Sequence, residues 1–185
     1  MNVIKTKIKD LVIIAPQIFG DERGFFYETF QAERYKSIGI DANFVQDNRS
    51  RSSKAVLRGL HFQKEKPQGK LVTVTEGEVF DVAVDLRPGS DTFGQHEAVL
   101  LTGENKLQFY VPPGFAHGFC VLSEIADFQY KCTDYYDPKD ESGLLWNDQE
   151  LGIQWPLESP LLSEKDKLQP TFSEIKSRLF NGWDK

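Results

Sequence analysis

The chain has 185 residues, enough for one well-packed domain and short for two, since a domain typically takes ~100–200 residues. Its hydrophobic share of 39% and charged share of 27% are ordinary for a globular protein and argue against a disordered or membrane chain. A net charge of −6 argues against a nucleic-acid binder, which needs a basic face against phosphates. We expect a single domain over residues 1–185, with a local cationic pocket for any anionic ligand.

Short β-rich segments separated by turn signals run from Val3 to Leu122, and this regular spacing predicts a sandwich or barrel. In Phe80–Leu86 the apolar residues alternate with Asp81, Ala83 and Asp85, so the second face of that strand points into a polar cavity or into water. The predicted strands are Val3–Ile8, Leu11–Ala15, Gly24–Phe30, Phe44–Asp47, Val56–Phe62, Lys70–Thr75, Val79–Leu86, Glu97–Leu101, Leu107–Val111 and Phe119–Leu122.

Helix signals occur in two places. Gln31–Ile38 predicts a short helix that ends at Gly39. Thr171–Glu174 has the capping-box pattern and predicts a helix near the C-terminus. The segment Asp134–Pro170 is rich in Pro, Asp, Glu and Gly and is expected to be mostly loop, where binding residues often collect.

The N-terminal apolar run Leu11–Pro16 is too short for a signal sequence or a membrane span, so we expect a cytoplasmic protein with no membrane partner. Cys120 and Cys132 lack a second Cys/His pair that would complete a zinc site. In a reducing cytoplasm we expect two buried, free thiols.

The three histidines are the first candidates for proton transfer near neutral pH. His61 lies in a strand-like run, where a buried ionisable ring is costly without a partner or a task. His117 follows the rigid turn at Pro112–Gly114, and His96 lies in a polar turn. Taken alone, His61 and His117 are more often structural than catalytic.

A β-barrel with histidines suggests the cupin class, many of whose members bind a metal through a His-x-His pair, a Glu and a later His. Pro112-x-Gly114-x-x-His117 resembles the second cupin motif, but Gln63 stands two residues after His61, where the paired imidazole would be. We therefore expect a cavity without a metal or another cofactor.

Two other side chains could carry chemistry without a metal. Lys70 follows a glycine and opens an apolar strand, so its ammonium either points inward or is an ordinary solvated charge. Tyr130 shares a strand face with Phe128 and Cys132, which is also the pattern of a core tyrosine.

In order along the chain, seven blocks resemble the dTDP-4-dehydrorhamnose 3,5-epimerase family. They are Asp21–Phe26, Val56–Gln63, Gln68–Val72, Gly77–Arg87, Val111–Cys120, Tyr130–Tyr136 and Ser163–Asp166. The resemblance implies a mainly β fold, the cupin-type double-stranded β-helix or jelly-roll barrel, in a homodimer that binds no metal. It also implies inversion of C3 and C5 of dTDP-4-dehydro-6-deoxyglucose, which gives dTDP-4-dehydro-L-rhamnose through an enolate at the C4 ketone.

The resemblance assigns four catalytic roles. His61 is the general base, and Asp166 orients its imidazole, as a carboxylate does in hydrolase triads. Lys70 stabilises the enolate oxygen, and Tyr130 is the acid on the opposite face of the sugar.

The resemblance also implies a set of substrate contacts. Arginine suits a diphosphate because its planar fork makes paired hydrogen bonds. The positions that match family contacts to nucleotide, diphosphate or sugar are Arg23, Glu28, Gln46, Asn48, Arg58, His117 and Glu141, with Phe19, Phe26 and Tyr136 as candidates for stacking on the thymine.

Strict strand alternation would place Arg58 and His61 on opposite faces, although both are expected in one cavity. A glycine inside a strand often marks a bulge, so we predict a bulge at Gly59.

Several other functions fit the same residues. A related enzyme could invert one carbon only, or act on another nucleotide-linked 4-keto sugar, while Tyr130 favours inversion of both. A cupin sugar ketoisomerase has less support, because the blocks around Lys70 and Tyr130 follow the epimerase pattern. A non-enzymatic sugar-binding cupin would not need a base, a cation and an acid in one pocket, and a metal-dependent oxygenase would hold stoichiometric iron or manganese.

Overall fold

The computed structural model describes residues 1–180, which contain thirteen β-strands and three α-helices. In chain order the elements are β1 Asn2–Lys5, β2 Val12–Ala15, β3 Ile18–Asp21, β4 Gly24–Tyr27, α1 Ala32–Ser37, β5 Gln46–Ser53, β6 Leu57–Gln63, β7 Lys70–Glu76, β8 Glu78–Asp85, β9 His96–Thr102, β10 Gln108–Val111, β11 Phe115–Val121, β12 Ile125–Cys132, β13 Glu141–Gly143, α2 Glu164–Lys167 and α3 Phe172–Phe180.

Two antiparallel sheets form the body of the molecule. One has six strands in the order β1-β2-β10-β7-β12-β5, and the other has five in the order β13-β6-β11-β8-β9. Apolar side chains from both sheets, including Val72, Phe109, Phe119 and Phe128, meet in one core between them. This arrangement is the cupin-type jelly roll, and the predicted fold class is confirmed.

The five-stranded sheet is buried on both faces. Phe80, Val82 and Val84 of β8 pack outward against residues of the C-terminal segment such as Leu151 and Phe172. The alternate residues point into the space between the sheets, where Asp81 has no exposed surface. The polar face of β8 therefore lies inside the barrel, and the alternative that it faces water is wrong.

Helix α1 covers the outer face of the six-stranded sheet. Its Tyr35 is buried with Ile14, Leu71 and Tyr110, and it donates a hydrogen bond of 2.5 Å to Gln108 Oε1. The predicted helix is confirmed, one residue shorter at each end, because Gln31 is the N-cap that accepts from the Arg34 N–H.

The predicted capping box starts the C-terminal helix α3. The Thr171 N–H donates to Glu174 Oε2 at 2.8 Å, and the Glu174 N–H donates back to Thr171 Oγ1 at 3.4 Å. Phe172 and Ile175 then bury themselves against the five-stranded sheet, so packing fixes the helix that the capping pattern predicts.

Four elements are absent from the predicted strands and helices: β12, for which only the face shared by Phe128, Tyr130 and Cys132 was expected, and the short elements β3, β13 and α2. Strand β3 pairs with β4 in a separate two-stranded hairpin, whereas β13 and α2 interrupt the segment expected to be mostly loop. The three short elements have three or four residues each, too few to show a period in the sequence.

Cys120 and Cys132 are both buried and free. Over residues 1–180, no helix is long and apolar enough to cross a membrane.

Candidate active site

A cavity of about 610 Å³ opens between the two sheets at one end of the barrel. The four predicted catalytic residues all line it: His61 from β6, Lys70 from β7, Tyr130 from β12 and Asp166 from α2. The cavity therefore draws its walls from both sheets and from a short helix late in the chain. The other lining residues are Asn48, Arg49, Ser50, Val56, Leu57, Arg58, His117, Gly118, Phe119, Phe128, Leu161, Leu162, Ser163 and Lys165.

His61 and Asp166 form a hydrogen-bonded pair on one wall of the cavity. The distance from His61 Nε2 to Asp166 Oδ1 is 2.6 Å, and the Asp166 side chain is only 4% exposed. Burial acts to raise the pKa of Asp166, but hydrogen bonds with His61, Ser163 and the Gly59 backbone outweigh it and hold that pKa below its ordinary value. The carboxylate is thus kept ionised beside the imidazole.

A bulge at Gly59 brings Arg58 and His61 to the same cavity, as predicted. His117 of β11 pairs with His61 and Phe119 pairs with Arg58, so β6 carries one more residue than β11 between these pairs. Gly59 has φ +130°, and a Cβ there would lie 2.5 Å from the Gly118 Cα. Only glycine fits this position, so the glycine determines which side chains share the cavity.

Lys70 and Tyr130 lie on the six-stranded sheet, facing the wall that carries His61. The Lys70 Nζ is 5.7 Å from the centroid of the Tyr130 ring. Burial lowers the pKa of Lys70 and raises the pKa of Tyr130. Lys70 therefore points inward, and the alternative of an ordinary solvated charge is wrong.

His117 forms a second histidine–aspartate pair deeper in the barrel. Its Nε2 lies 2.8 Å from Asp81 Oδ1, and its side chain is 5% exposed. Burial lowers the pKa of His117. Burial also raises the pKa of Asp81, although His117 and Lys70 act against that rise. Sequence reasoning had singled out His117 but gave Asp81 no role.

The remaining predicted contact residues fall into two groups. Asn48 lines the cavity, and Gln46 donates to Asn48 Oδ1 at 3.0 Å. Glu141 accepts a 2.6 Å hydrogen bond from the Tyr136 hydroxyl and forms an ion pair with Lys165, which lines the cavity. Gln46 and Glu141 thus connect to the cavity through one neighbour each, and Tyr136 connects to it through two, Glu141 and Lys165.

The second group lies on or next to the β3–β4 hairpin and does not line the cavity of the described chain. It consists of Phe19, Arg23, Phe26 and Glu28. Phe19 is 60% exposed and Phe26 is 69% exposed. The Arg23 guanidinium pairs with Asp21, and Glu28 accepts from Arg34. Within this chain the structure does not bring the hairpin residues to the four predicted catalytic residues.

Two cations of the cavity wall were missed in the sequence. Lys165 stands next to Asp166 on α2, and Arg49 follows Asn48 on β5. Each is adjacent to a residue that the sequence did identify, so a search for cations beside those residues would have found both.

No group of three or more His, Cys, Asp or Glu side chains is arranged to hold a metal ion in the part of the chain that the structure describes. Gln63 instead donates to the backbone oxygens of Lys66 and Tyr135 and accepts from the Asp137 N–H. It therefore orders the adjacent loop.

The fold and the site together define a cupin-type protein whose cavity carries the groups of acid–base chemistry. An imidazole with its orienting carboxylate stands on one sheet, and an ammonium and a phenol stand on the other.

The sequence profile of dTDP-4-dehydrorhamnose 3,5-epimerase matches residues 5–174. The dTDP-4-dehydrorhamnose 3,5-epimerase of Escherichia coli K12 is 56% identical over 178 residues, covering 95% of this chain and 96% of that protein. The chain belongs to the dTDP-4-dehydrorhamnose 3,5-epimerase family and is an epimerase of that family.

Two solved structures illustrate the similarity. The Legionella pneumophila epimerase RmlC, in complex with dTDP-4-keto-L-rhamnose, has a TM-score of 0.93 and 59% identity, with 96% of each chain covered. A mutant of ChmJ, a 3'-monoepimerase from Streptomyces bikiniensis in complex with dTDP, has a TM-score of 0.88 and 32% identity, covering 94% of this chain and 89% of that one.

Proposed function

We propose that the protein inverts C3 and C5 of dTDP-4-dehydro-6-deoxyglucose and gives dTDP-4-dehydro-L-rhamnose, with His61, Asp166, Lys70 and Tyr130 as its catalytic group. The observation that carries this proposal is the placement of base and acid on facing walls. His61 belongs to the five-stranded sheet and Tyr130 to the six-stranded sheet, and both line one cavity. Inversion needs a proton taken from one face of a carbon and returned to the other.

His61 takes the proton from the carbon beside the C4 ketone. Its Nε2 is bound to Asp166, so the other ring nitrogen is left for the substrate. The Asp166 carboxylate holds the ring in place and stabilises the imidazolium that forms. Ser163, the N-cap of α2, accepts from the Asp166 N–H and so fixes the residue that orients the base.

Lys70 stabilises the negative charge that develops on the ketone oxygen. An ammonium fixed in a cavity between two sheets is attracted to that charge more strongly than it would be in water. Lys70 needs no rearrangement for this role, since its strand already points it into the cavity.

Tyr130 returns a proton from the opposite wall. Burial raises the pKa of its phenol, so the hydroxyl is protonated at neutral pH and available as an acid. We therefore expect the enolate to be protonated on the face away from His61, which completes the inversion.

The nucleotide and the diphosphate lie toward the cationic rim of the cavity in this proposal. Arg58, Arg49 and Lys165 line it and suit phosphate oxygens. The sugar and its bond to the diphosphate are held by Asn48, Gln46, His117 and Glu141. Tyr136 is a candidate for stacking on the thymine.

We also propose that the protein acts as a cytoplasmic homodimer in which the β3–β4 hairpin of one protomer covers the cavity of the other. The exposed apolar side chains of that hairpin, Phe19, Phe25 and Phe26, support burial against a second copy. In such a dimer Arg23, Glu28, Phe19 and Phe26 would take their predicted places at the substrate.

A mixing experiment tests the dimer. In a heterodimer of Arg23→Ala and His61→Ala, exchange of hairpins assembles one site with both residues intact, so activity at low substrate concentration should exceed that of either parent. If each hairpin served its own cavity, both sites would carry one defect and the mixture would gain nothing. Sedimentation or solution scattering must also give the mass of a dimer.

The main experiment is incubation of the protein with dTDP-4-dehydro-6-deoxyglucose in D₂O, followed by mass spectrometry. Uptake of two deuterons, with the L-rhamno product, is expected. Uptake of one deuteron would instead assign the protein to the single-centre epimerases, the class of the 3'-monoepimerase ChmJ, which is 32% identical in its mutant form. No uptake would remove the catalytic proposal.

A further inference from the structure

We propose that Asp81 is the counter-ion of Lys70. Its carboxylate, held in place by a hydrogen bond with the buried neutral imidazole of His117, acts as a positioning residue whose negative charge keeps the Lys70 ammonium charged. The inference rests on the proposed role of Lys70 as the group that stabilises the enolate. Asp81 itself does not line the cavity of the described chain.

The first support is the location of the carboxylate. Asp81 lies on the inner face of β8, opposite Phe119 of β11, and has no exposed surface. Its Oδ1 is bound to His117, while Oδ2 is buried with no hydrogen-bond partner in residues 1–180. A buried carboxylate with one free oxygen is costly unless a positive charge lies nearby.

The second support comes from the groups around Lys70. On β12 these are the Tyr130 phenol and the Cys132 thiol, and burial raises the pKa of each, so both are neutral near pH 7. From the five-stranded sheet, Glu141 is already paired with Lys165, and His61 is paired with Asp166. Arg58 donates to Ser52 and adds a further positive charge. Lys70 and His117 line the same cavity, and Asp81 is bound to His117. In the described chain, Asp81 is therefore the carboxylate of this cluster that has no lysine or arginine bound to it.

The third support is the charge balance of the buried group. With Lys70 as ammonium, Asp81 as carboxylate and His117 neutral, the three groups have no net charge, so the attraction between the two ions offsets part of the cost of burying each of them. Burial lowers the pKa of His117 in agreement with a neutral ring. In this state His117 donates its Nε2–H to Asp81, and its other ring nitrogen is an acceptor.

The proposal predicts a shift in the ionisation of Lys70. Asp81→Asn keeps the shape and the acceptor for His117 but removes the charge, so the pKa of Lys70 should fall by roughly one unit or more, as for other neighbouring opposite charges. The alkaline limb of the pH profile of kcat should move to lower pH by the same amount. For a shift of one unit, kcat at high pH should fall about tenfold.

The matched control is Asp85→Asn, on the same strand and equally buried but bound to Arg87, Ser90 and Thr92 at the other end of β8. It should lower the melting temperature without moving the pH profile. An equal shift of the profile in both variants would mean that Asp81 acts only through the stability of the fold.

The deciding measurement is an NMR titration of the free protein with ¹³Cε-labelled lysine, in which the Lys70 signal is assigned by its absence in Lys70→Arg. An unchanged Lys70 titration in Asp81→Asn overturns the inference, whatever the activity. Absence of deuterium uptake by the wild type would instead overturn the proposed function, so the two failures are distinct.

A second measurement needs no variant at Asp81. The ring ¹⁵N shifts of His117 in the wild-type protein should show a neutral imidazole with the proton on Nε2 at pH 7. A doubly protonated ring would make His117 the counter-ion of Asp81 in place of Lys70, and the proposal would fail.

Discussion

Two histidine–aspartate pairs, one on the cavity wall and one with its carboxylate buried behind that wall, differ in how the chain builds them. In the pair of His61 and Asp166, the carboxylate comes from a short helix 105 residues later, and the histidine is 30% exposed to the cavity. In the pair of His117 and Asp81, both residues come from neighbouring strands of one sheet and are almost completely buried. The same two side chains thus give an accessible imidazole in one place and a rigid, almost completely buried pair in the other.

This difference in access separates the proposed roles. A base must reach a substrate proton and then be regenerated, which an imidazole open to the cavity can do. A buried neutral imidazole is poorly suited to this, because taking up a proton would place a second cation beside Lys70.

The largest effect is expected for His61→Ala. Loss of the base should lower kcat by roughly 10²–10⁴-fold and abolish deuterium uptake, since general acid–base catalysis contributes effects of that size. His117→Ala is the paired variant and should retain uptake of deuterium with a raised KM. If both variants lost exchange equally, the contrast between the two pairs would not hold.

Tyr130→Phe should allow deuterium to enter the substrate but impair inversion at C5. The base on the other wall still removes the proton, but the opposite face loses its acid. The measurement is deuterium uptake by mass together with the C5 configuration of the product by NMR. Full inversion at the wild-type rate would exclude Tyr130 as the acid.

A smaller loss is expected for Asp166→Asn, on the order of 10²-fold in kcat, because the base remains but loses its orienting charge. The measurement is kcat at saturating substrate, with the melting temperature of the variant to show that the fold is kept. A variant that was folded and as active as the wild type would exclude Asp166 as the residue that orients the base.

The smallest effect on catalysis is expected for Asp127→Asn. Asp127 is bound by Arg49 and Arg51, and these hydrogen bonds lower its pKa to about 2. A depressed pKa stabilises the fold above the ordinary value of 3.8, and that contribution is lost as the pH falls through about 2.

The melting temperature of Asp127→Asn should therefore lie below that of the wild type at pH 7, and the gap should close between pH 4 and pH 2. A gap that stayed constant over this range would mean that the carboxylate charge is not responsible.

Much of the site was predictable because local sequence carries it. Strand alternation places Arg58 and His61 on opposite faces, although both were expected in one cavity, and this conflict predicted the bulge at Gly59. The structure contains that bulge. The inward direction of Lys70, by contrast, was left open, because a lysine at a strand end can point either way until the second sheet is in place.

Other parts of the site were not predictable. Lys165 was missed because α2 has only four residues and no periodic pattern, and Asp81 was missed because its alternation fits a solvated face as well as a buried one. Arg23, Phe19 and Phe26 were identified in the sequence, yet their relation to the cavity depends on a second protomer, which one chain does not provide.

The sequence by itself determined the β-rich class, the bulge at Gly59, the capped C-terminal helix and the resemblance that predicts four catalytic residues, because turn chemistry, period and motif are local properties. The tertiary structure alone decided that His61 and Tyr130 stand on facing walls and that Asp81 lies buried behind His117. These relations depend on which strands pair and which sheets pack together, and burial and charge balance arise only from that packing.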